Sequence, residues 1–387
     1  MARVLLLTHI YPPAVDGGSK VIAKMGEYLE KNDHQLLIVT SNCTSTDDFV
    51  STRRSRLNFD KDGQNIIRLP VITLFHRPLK LFSKLFPNIR PFSKGPIFSY
   101  LPFQKIISFK PDYIMAGPLP TTIVLYARIL RYLTKSKLII NASFHPHDPD
   151  FQSPILLSTL KSADYIWTLT DYETNYFHRK LNIPLNRLVN LGNGVDKSFL
   201  LSTPPLLNYS TSNLLYVGSF SAHKNLNTLI KAFSLLPKTF TLTLAGQKTL
   251  YYPEIQSQIS TLSPQISSRI KFIFSFSDSK LATLIDNSNI LISPSLQESF
   301  GLVLIEAMAR GKPVIAADIP ASAELIKKSQ AGLTFSSLDP QDLSKKILKL
   351  TQNIKLNQKL ALNGLKYVSK HYTWDKIGEN LCKKLVI

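Results

Sequence analysis

The chain has 387 residues, 44% of them hydrophobic and 19% charged, with a formal net charge of +20. That length suits two domains of ordinary size, and the composition is that of a chain able to bury cores, which excludes a disordered one. No apolar run approaches the roughly 20 residues that span a bilayer, and the two cysteines, Cys43 and Cys382, lie too far apart to suggest a metal motif or a disulfide framework.

The opening "MARVLLLTHIYPP" reads as a strand over 4–8. Tyr11, Pro12 and Pro13 follow where a signal peptide needs a longer apolar core and small residues for cleavage, so the expected location is cytoplasmic. Further short apolar runs at 35–40, 113–116, 137–141 and 165–169 alternate with helix-length amphipathic stretches, the signature of βα units and a parallel sheet. After 190–213, rich in Gly, Pro, Ser and Asn and read as a linker, a second series begins. Its strands are expected at 214–217, 241–245, 270–274, 290–293 and 313–316, with helices near 226–236, 280–286 and 302–310. The economical architecture is α/β, two doubly wound domains facing across a cleft: 1–195, a linker at 196–212, 213–370, and a terminal helix at 371–387 returning to the first domain. Ligands of such sheets bind outside the carboxyl ends of the strands.

The positive charge asks for an anionic partner: nucleic acid, anionic lipid or a phosphorylated substrate. Between Asp62 and Asp112 no acidic residue occurs, while Arg68, Arg77, Lys80, Lys84, Arg90, Lys94, Lys105 and Lys110 are interleaved with Phe75, Phe82, Phe86, Phe92, Phe98, Tyr100, Phe103 and Phe109. This pattern suits peripheral contact with an anionic membrane, where each base is worth about 1 kcal/mol. It equally suits a packed flap with aromatics inside and bases in solvent. The aromatics follow no RNA or DNA module, so nucleic acid is not expected as a partner.

In "SPSLQESFGLVLIEA" a strand, a turn and a helix follow one another, with Ser299 read as the N-cap and Phe300, Gly301 and Leu302 in the first turn. First-turn amides lack helical acceptors and can hold a phosphate, which Gly301 lets approach closely. A carboxylate at Glu306, on an apolar helix, is expensive to desolvate without a partner. One reading has Glu298 and Glu306 bracketing a nucleotide sugar, at the hexose and the ribose. The other makes Glu298 a solvated turn residue and Glu306 half of an ion pair.

"ESFGLVLIEAMARGKPVIAADIPASAELI" resembles the E-x7-E region of the family 4 (group 1) retaining glycosyltransferases, which adopt the GT-B fold. "HIYPPAVDGGSKVIAKMGEYL", "FHPHD", "NLGNGVD", "LLYVGSFSAHKNLNTLI", "LTLAGQ" and "AGLTFSSLDPQDL" fit the same family in the same order, so the resemblance covers nearly the whole chain. It is weakest over 44–110. It implies that Glu298 contacts the donor sugar, that Glu306 contacts the ribose, and that the amides of Phe300, Gly301 and Leu302 cradle sugar and diphosphate. Lys224 would neutralise the departing diphosphate; read without the resemblance it is a solvated loop lysine. Ser219 stands where many relatives carry arginine, and His223 would share the task. Gly17 and Gly18 match the loop that lets backbone approach diphosphate and acceptor, although a Gly pair alone is a turn.

"NASFHPHDPDF" has three readings. His145, His147, Asp148 and Asp150 are of metal-ligand type, and Asp148-Pro149-Asp150 matches a D-x-D ion site formally. They also suit a loop with no role. The resemblance makes His145, ahead of His147, a residue touching the donor sugar, with no metal, since Lys224 and a helix N-terminus supply the positive charge. Ser275 and Phe276 are expected to meet the nucleotide base.

The resemblance implies a metal-independent hexosyltransferase without a cofactor, in cell-envelope polysaccharide or glycolipid assembly. It would move a hexose, mannose slightly favoured, from a nucleotide-diphosphate sugar such as GDP-mannose to a glycan or lipid-linked acceptor. An epimerase or phosphorylase is disfavoured because no lysine site for a cofactor is evident. The alternative of another class is a non-catalytic scaffold that binds nucleotide or membrane.

Overall fold

The computed structural model describes residues 1–14, 16–49, 63–74, 76–201 and 212–385. Phe75 and residues 202–211 of the expected linker lie outside them. The chain divides into two compact units, Met1–Gly192 with Ile377–Ile387, and Asn193–Lys376.

The first unit contains β1 (Arg3–Leu7), β2 (Gln35–Ser41), β3 (Ile66–Leu69), β4 (Tyr113–Ala116), β5 (Lys137–Asn141), β6 (Tyr165–Thr168) and β7 (Leu188–Asn190). They form one parallel sheet in the order β3-β2-β1-β4-β5-β6-β7. The second unit contains β8 (Ser212–Val217), β9 (Phe240–Ala245), β10 (Ile270–Ile273), β11 (Ile290–Ser293), β12 (Val314–Ala317) and β13 (Gly332–Phe335), in the order β10-β9-β8-β11-β12-β13. Every pair is parallel; Leu5 lies opposite both Leu37 and Ile114, and Leu291 opposite both Leu215 and Val314. Central strands read as unbroken apolar runs because helices cover both faces and no side of the pleat meets water.

All ten strands expected from the sequence are present, within two residues at each end. Three more, β3, β7 and β13, escaped the reading, and each closes an edge of its sheet. An edge strand is half-solvated and need not be apolar throughout: β3 carries Arg68 and β13 carries Thr334, with three of four residues half-buried in each.

The terminal helix Trp374–Leu385 packs closely in the first unit, where a Cβ on Gly378 would meet the Tyr28 ring at 2.3 Å and the Tyr113 hydroxyl donates to the Leu385 carbonyl at 2.9 Å. Just before it, Val195 and Thr373 form a parallel bridge, with the Val195 amide on the Tyr372 carbonyl at 2.7 Å.

A buried carboxylate fixes the loops after β5 and β6. Glu173, in the first turn of the helix Asp171–Leu181, is 2% exposed and accepts the amides of Phe144 (2.7 Å) and Leu169 (2.5 Å). Such a charge is stable inside because two donors replace its water. Glu173→Leu keeps the volume but orphans both amides. It should lower stability by about 2–4 kcal/mol in a urea titration with an unchanged slope; a loss well under 1 kcal/mol would show that the carboxylate is not the tie.

Candidate active site

Both sheets reverse their strand order at one place. In the second unit the chain winds outward from β8 through β9 to β10, then returns to the other side of β8 with β11. The loops leaving β8 and β11 are therefore neighbours at the carboxyl ends, where open α/β sheets bind ligands. Backbone bonds lock them together. The Leu296 amide donates to the His223 carbonyl at 2.8 Å, and the Asn225 side-chain amide to the Pro294 carbonyl at 3.1 Å. Asn225 ends the short helical turn Ala222–Lys224 in a left-handed conformation, φ 52°, which asparagine tolerates better than most residues.

Across this junction the Lys224 ammonium meets the Glu298 carboxylate at 2.5 Å, with side chains only 19% and 15% exposed. Glu298 is thus not a solvated turn residue, nor Lys224 a solvated loop lysine. Beneath them lies buried Tyr216, whose phenol donates to the Ser219 carbonyl at 2.8 Å. Burial, and then the Glu298 charge, push that phenol's pKa upward, so it remains a donor. The Ser219 hydroxyl lies 3.2 Å from that of Ser221, which lies 3.3 Å from Nδ1 of exposed His223.

The helix after the second loop is Leu302–Ala309, and its cap corrects the expectation from sequence. Gly301, not Ser299, occupies the N-cap, with φ 96° and no side-chain cap bond. A Cβ there would be strained by the backbone angle and would press on Leu304 at 3.0 Å, so glycine is required. Leu304 and Ile305 donate to the Gly301 carbonyl at 2.9 and 3.4 Å, while the amides before Leu304 have no helical acceptor. Phe300 is 2% exposed with its ring edge-on to Tyr372 at 5.2 Å, so its backbone and not its ring is what it offers. Glu306 shares the half-buried stripe of the helix with Leu302, Val303 and Arg310, while Leu304, Ile305, Ala307, Met308 and Ala309 are buried. The helix is apolar in composition but not encircled by core, which removes the apparent conflict of a carboxylate in that stretch.

Ser275, exposed and left-handed at φ 54°, and half-buried Phe276 follow β10 at the sheet edge. Two strand spacings, about 10 Å, separate β10 from β8.

In the first unit the reversal falls at β1 and β4. Gly17 and Gly18 open the helix Gly17–Lys31, whose N-cap Asp16 exchanges bonds with Ser19 in a capping box. A Cβ on Gly18 would meet the Pro118 ring at 2.5 Å, so the loop after β4 rests on that glycine. Asp16 also holds buried His9 at 2.6 Å. Burial raises the Asp16 pKa, but the bonds from His9 and Ser19 outweigh it and bring it down to about 2. The sequence reading missed this pair although both residues stand in "HIYPPAVDGGSKVIAKMGEYL", because it took only Gly17 and Gly18 from that segment and nothing local shows that the two side chains meet.

His145 follows β5, half-buried and edge-on to Phe151 at 5.1 Å, and His147 is exposed. Asp148 caps its own turn by accepting the Asp150 amide at 2.9 Å, and Asp150 pairs with Lys94 at 2.6 Å. The two aspartates therefore have structural partners. The first unit thus gathers Gly17, Gly18 and His145 at the carboxyl ends of its strands, and the second gathers Ser219, Lys224, Glu298, Phe300, Gly301, Leu302 and Glu306.

Residues 206–367 match the family model described as glycosyl transferases group 1. The chain is 30% identical over 215 residues to an uncharacterized glycosyltransferase of Methanocaldococcus jannaschii, covering 56% of this chain and 57% of that one. It is 25% identical over 280 residues to the O-antigen chain mannosyltransferase B of Escherichia coli, covering 68% and 71%. The chain therefore spans a little over half of the first relative's length and about seven-tenths of the second's. In fold it is similar to Anabaena HepE, whose crystal structure holds UDP and glucose (TM-score 0.76, 16% identity, all of both chains), and to sucrose-phosphate synthase of Thermosynechococcus elongatus (TM-score 0.76, 18% identity, 100% and 98% covered). The fold is GT-B, as the resemblance implied.

Gly246, after β9, completes the β8 loop. A Cβ there would lie 1.7 Å from the Gly218 carbonyl oxygen, so the two backbones touch. Gly246→Ala must push the β8 loop away. The expected result is a melting temperature several degrees lower, from an overpacking cost of about 1–3 kcal/mol. Unchanged melting would mean that the loop is not held from β9.

Proposed function

We propose, from the premise that residues 206–367 belong to the group 1 glycosyl transferases, that the protein is a metal-independent retaining hexosyltransferase that uses a nucleotide-diphosphate sugar. The observation that carries this reading is the Lys224–Glu298 pair at the strand-order reversal. An ammonium has three donors. Glu298 takes one, which fixes the side chain, and two remain for phosphate oxygens. The carboxylate also weakens the ammonium's field, so charge developing on a departing diphosphate needs further donors. The free amides at the start of the helix Leu302–Ala309 and the Ser219 hydroxyl are suited to supply them. A fixed array of this kind lowers a barrier because it needs no reorganisation as the charge appears.

In this reading Glu298 also accepts hydroxyls of the donor hexose, Glu306 accepts the ribose diol, and Ser275 and Phe276 meet the base. Gly17 and Gly18 admit backbone to the diphosphate and acceptor, and His145 attends the sugar. The acceptor hydroxyl attacks on the face that the diphosphate leaves, the leaving oxygen takes its proton, and no covalent enzyme intermediate forms. Mannose is favoured among donor sugars because the Escherichia coli relative is named a mannosyltransferase of O-antigen chains. A glycan or lipid-linked acceptor in cell-envelope assembly follows from the same likeness.

Glu298→Ala and Lys224→Ala should each lower turnover by at least 100-fold while leaving the circular dichroism spectrum unchanged. A thermal-shift screen should give its largest stabilisation with GDP and GDP-mannose, against UDP, ADP and their sugars. Full turnover in both variants would reject the roles given to Glu298 and Lys224, and nucleotide binding without turnover in the unsubstituted protein would leave only the non-catalytic scaffold; stabilisation by UDP-sugars alone would replace mannose with another hexose.

Contact with an anionic membrane belongs to the same proposal. The aromatics of 63–111 divide between the two readings of that stretch. Phe98 is buried, and Phe92 and Phe109 pack on the core, whereas Phe82, Phe86, Tyr100 and Phe103 are exposed, with the aliphatic Leu81 (66%) and Leu85 (73%) beside Lys80 and Lys84, also exposed. Arg68 and Arg90 are spent on backbone carbonyls, of Tyr11 and of Ser83 respectively, so fewer bases serve the membrane than the sequence suggested. Sedimentation with vesicles containing phosphatidylglycerol should fall at least tenfold in the double variant Leu81→Glu, Leu85→Glu, with melting unchanged; equal sedimentation would reject this surface.

A further inference from the structure

The first unit has a cavity at the end of its sheet opposite the loops described above. It measures about 380 Å³ and is lined chiefly by Arg131, Lys137, Lys161, Asp164, Tyr165 and Arg187. Lys137 is the first residue of β5, Tyr165 the first of β6, and Arg187 directly precedes β7. The cavity thus opens at the amino ends of three adjacent strands. The five residues of β5, about 16 Å of extended chain, separate it from the loop bearing His145.

Four cations face one carboxylate here, and that carboxylate is already engaged. Asp164 binds Arg131 through both oxygens at 3.0 Å and also accepts the Leu138 amide at 2.8 Å. Arg187 Nη2 donates to the carbonyls of Lys161 and Ala163 at the end of the helix Pro154–Ser162. Its Nε is buried with no acceptor. Among the described residues no acidic side chain forms an ion pair with Lys137, Lys161 or Arg187. The two guanidinium groups are anchored by Asp164 and by helix carbonyls, so they are already ordered before anything binds, while both lysines are exposed, Lys137 with its ammonium 5.8 Å from the centre of the Tyr113 ring.

We propose that this cavity is a second anion site, distinct from the donor site, that binds a phosphate-bearing group. The shared chemistry is an anionic phosphate group, whether monoester, diester or diphosphate, held by Lys137 and Lys161 against the anchored Arg131 and Arg187. The volume suits a sugar phosphate, a diphosphate or a lipid headgroup. Cations that converge without counterions repel one another, and an anion among them relieves that repulsion as well as making charge-assisted bonds.

The test reads the site locally, so that phosphate bound at the donor site does not confuse it. The full chain carrying Leu81→Glu and Leu85→Glu, which removes the exposed apolar contact, is acetylated with a limiting amine reagent, and each lysine is quantified by mass spectrometry. Inorganic pyrophosphate at millimolar concentration should slow acetylation of Lys137 and Lys161 at least threefold and leave exposed Lys238 unaffected, relative to chloride at equal ionic strength. In Lys137→Glu the protection of Lys161 should be lost. If only phosphatidylglycerol vesicles protect the two lysines, and phosphatidylcholine vesicles do not, the site stands and its source of phosphate is a lipid headgroup. The proposal is overturned if neither probe protects them, if chloride protects equally, or if Lys161 stays protected in Lys137→Glu.

Discussion

The reversal of strand order between β8 and β11 is the constraint on which the second unit's candidate site depends. A parallel sheet wound outward in both directions from one strand must leave two loops side by side at that strand's carboxyl end, with no helix crossing between them. Here the gap is bridged by the His223 carbonyl and the Asn225 side chain, each bonded to backbone of the opposite loop. Those bonds bring residues 74 apart in sequence, Lys224 and Glu298, within 2.5 Å.

An ion pair so little exposed costs desolvation that its own attraction only partly returns, and replacing such pairs by apolar groups often stabilises a protein. Stability by itself is therefore a poor account of this pair. Its placement over Tyr216 and beside the glycine-capped helix fits a role in holding one cation in a fixed position. Gly301 and Gly246 serve the same end by different means. The first supplies a backbone angle that opens the helix start, and the second gives the β8 loop room to lie directly on β9.

The first unit repeats the topological logic with other chemistry. At its reversal, between β1 and β4, the pinned elements are the capped helix start at Asp16 and the Pro118 loop lying against Gly18. Buried His9 joins Asp16 where the second unit has its lysine and glutamate. Glu173 then ties the loops after β5 and β6 through two backbone amides, so the segment leading to His145 hangs from a carboxylate 29 residues away in sequence. The amino ends of the same strands carry the cluster of arginines and lysines around Asp164, so one sheet presents different electrostatics at its two ends.

The sequence by itself determined the class of fold, the central strands, and which segments leave those strands, because apolar runs and helix-length spacing are local properties written directly in the order of residues. It also singled out Glu298, Lys224 and Gly301 by their motifs. The edge strands β3 and β13 were illegible because a half-solvated strand need not be apolar, and β7 because its three residues are too short a run to show a period. So were the tasks of Ser299 and Gly301: a serine before a helix looks like a cap, but only the three-dimensional path of the β11 loop demands the left-handed angle that glycine takes. Tertiary structure alone decided that Glu298 partners Lys224, that Glu306 lies on the half-buried stripe of its helix, that Asp150 is held by Lys94, and that the aromatics of 63–111 divide between core and surface. Each of these depends on which distant segments meet, and hydrophobic periodicity fixes the face that a helix or strand buries without fixing what it is buried against.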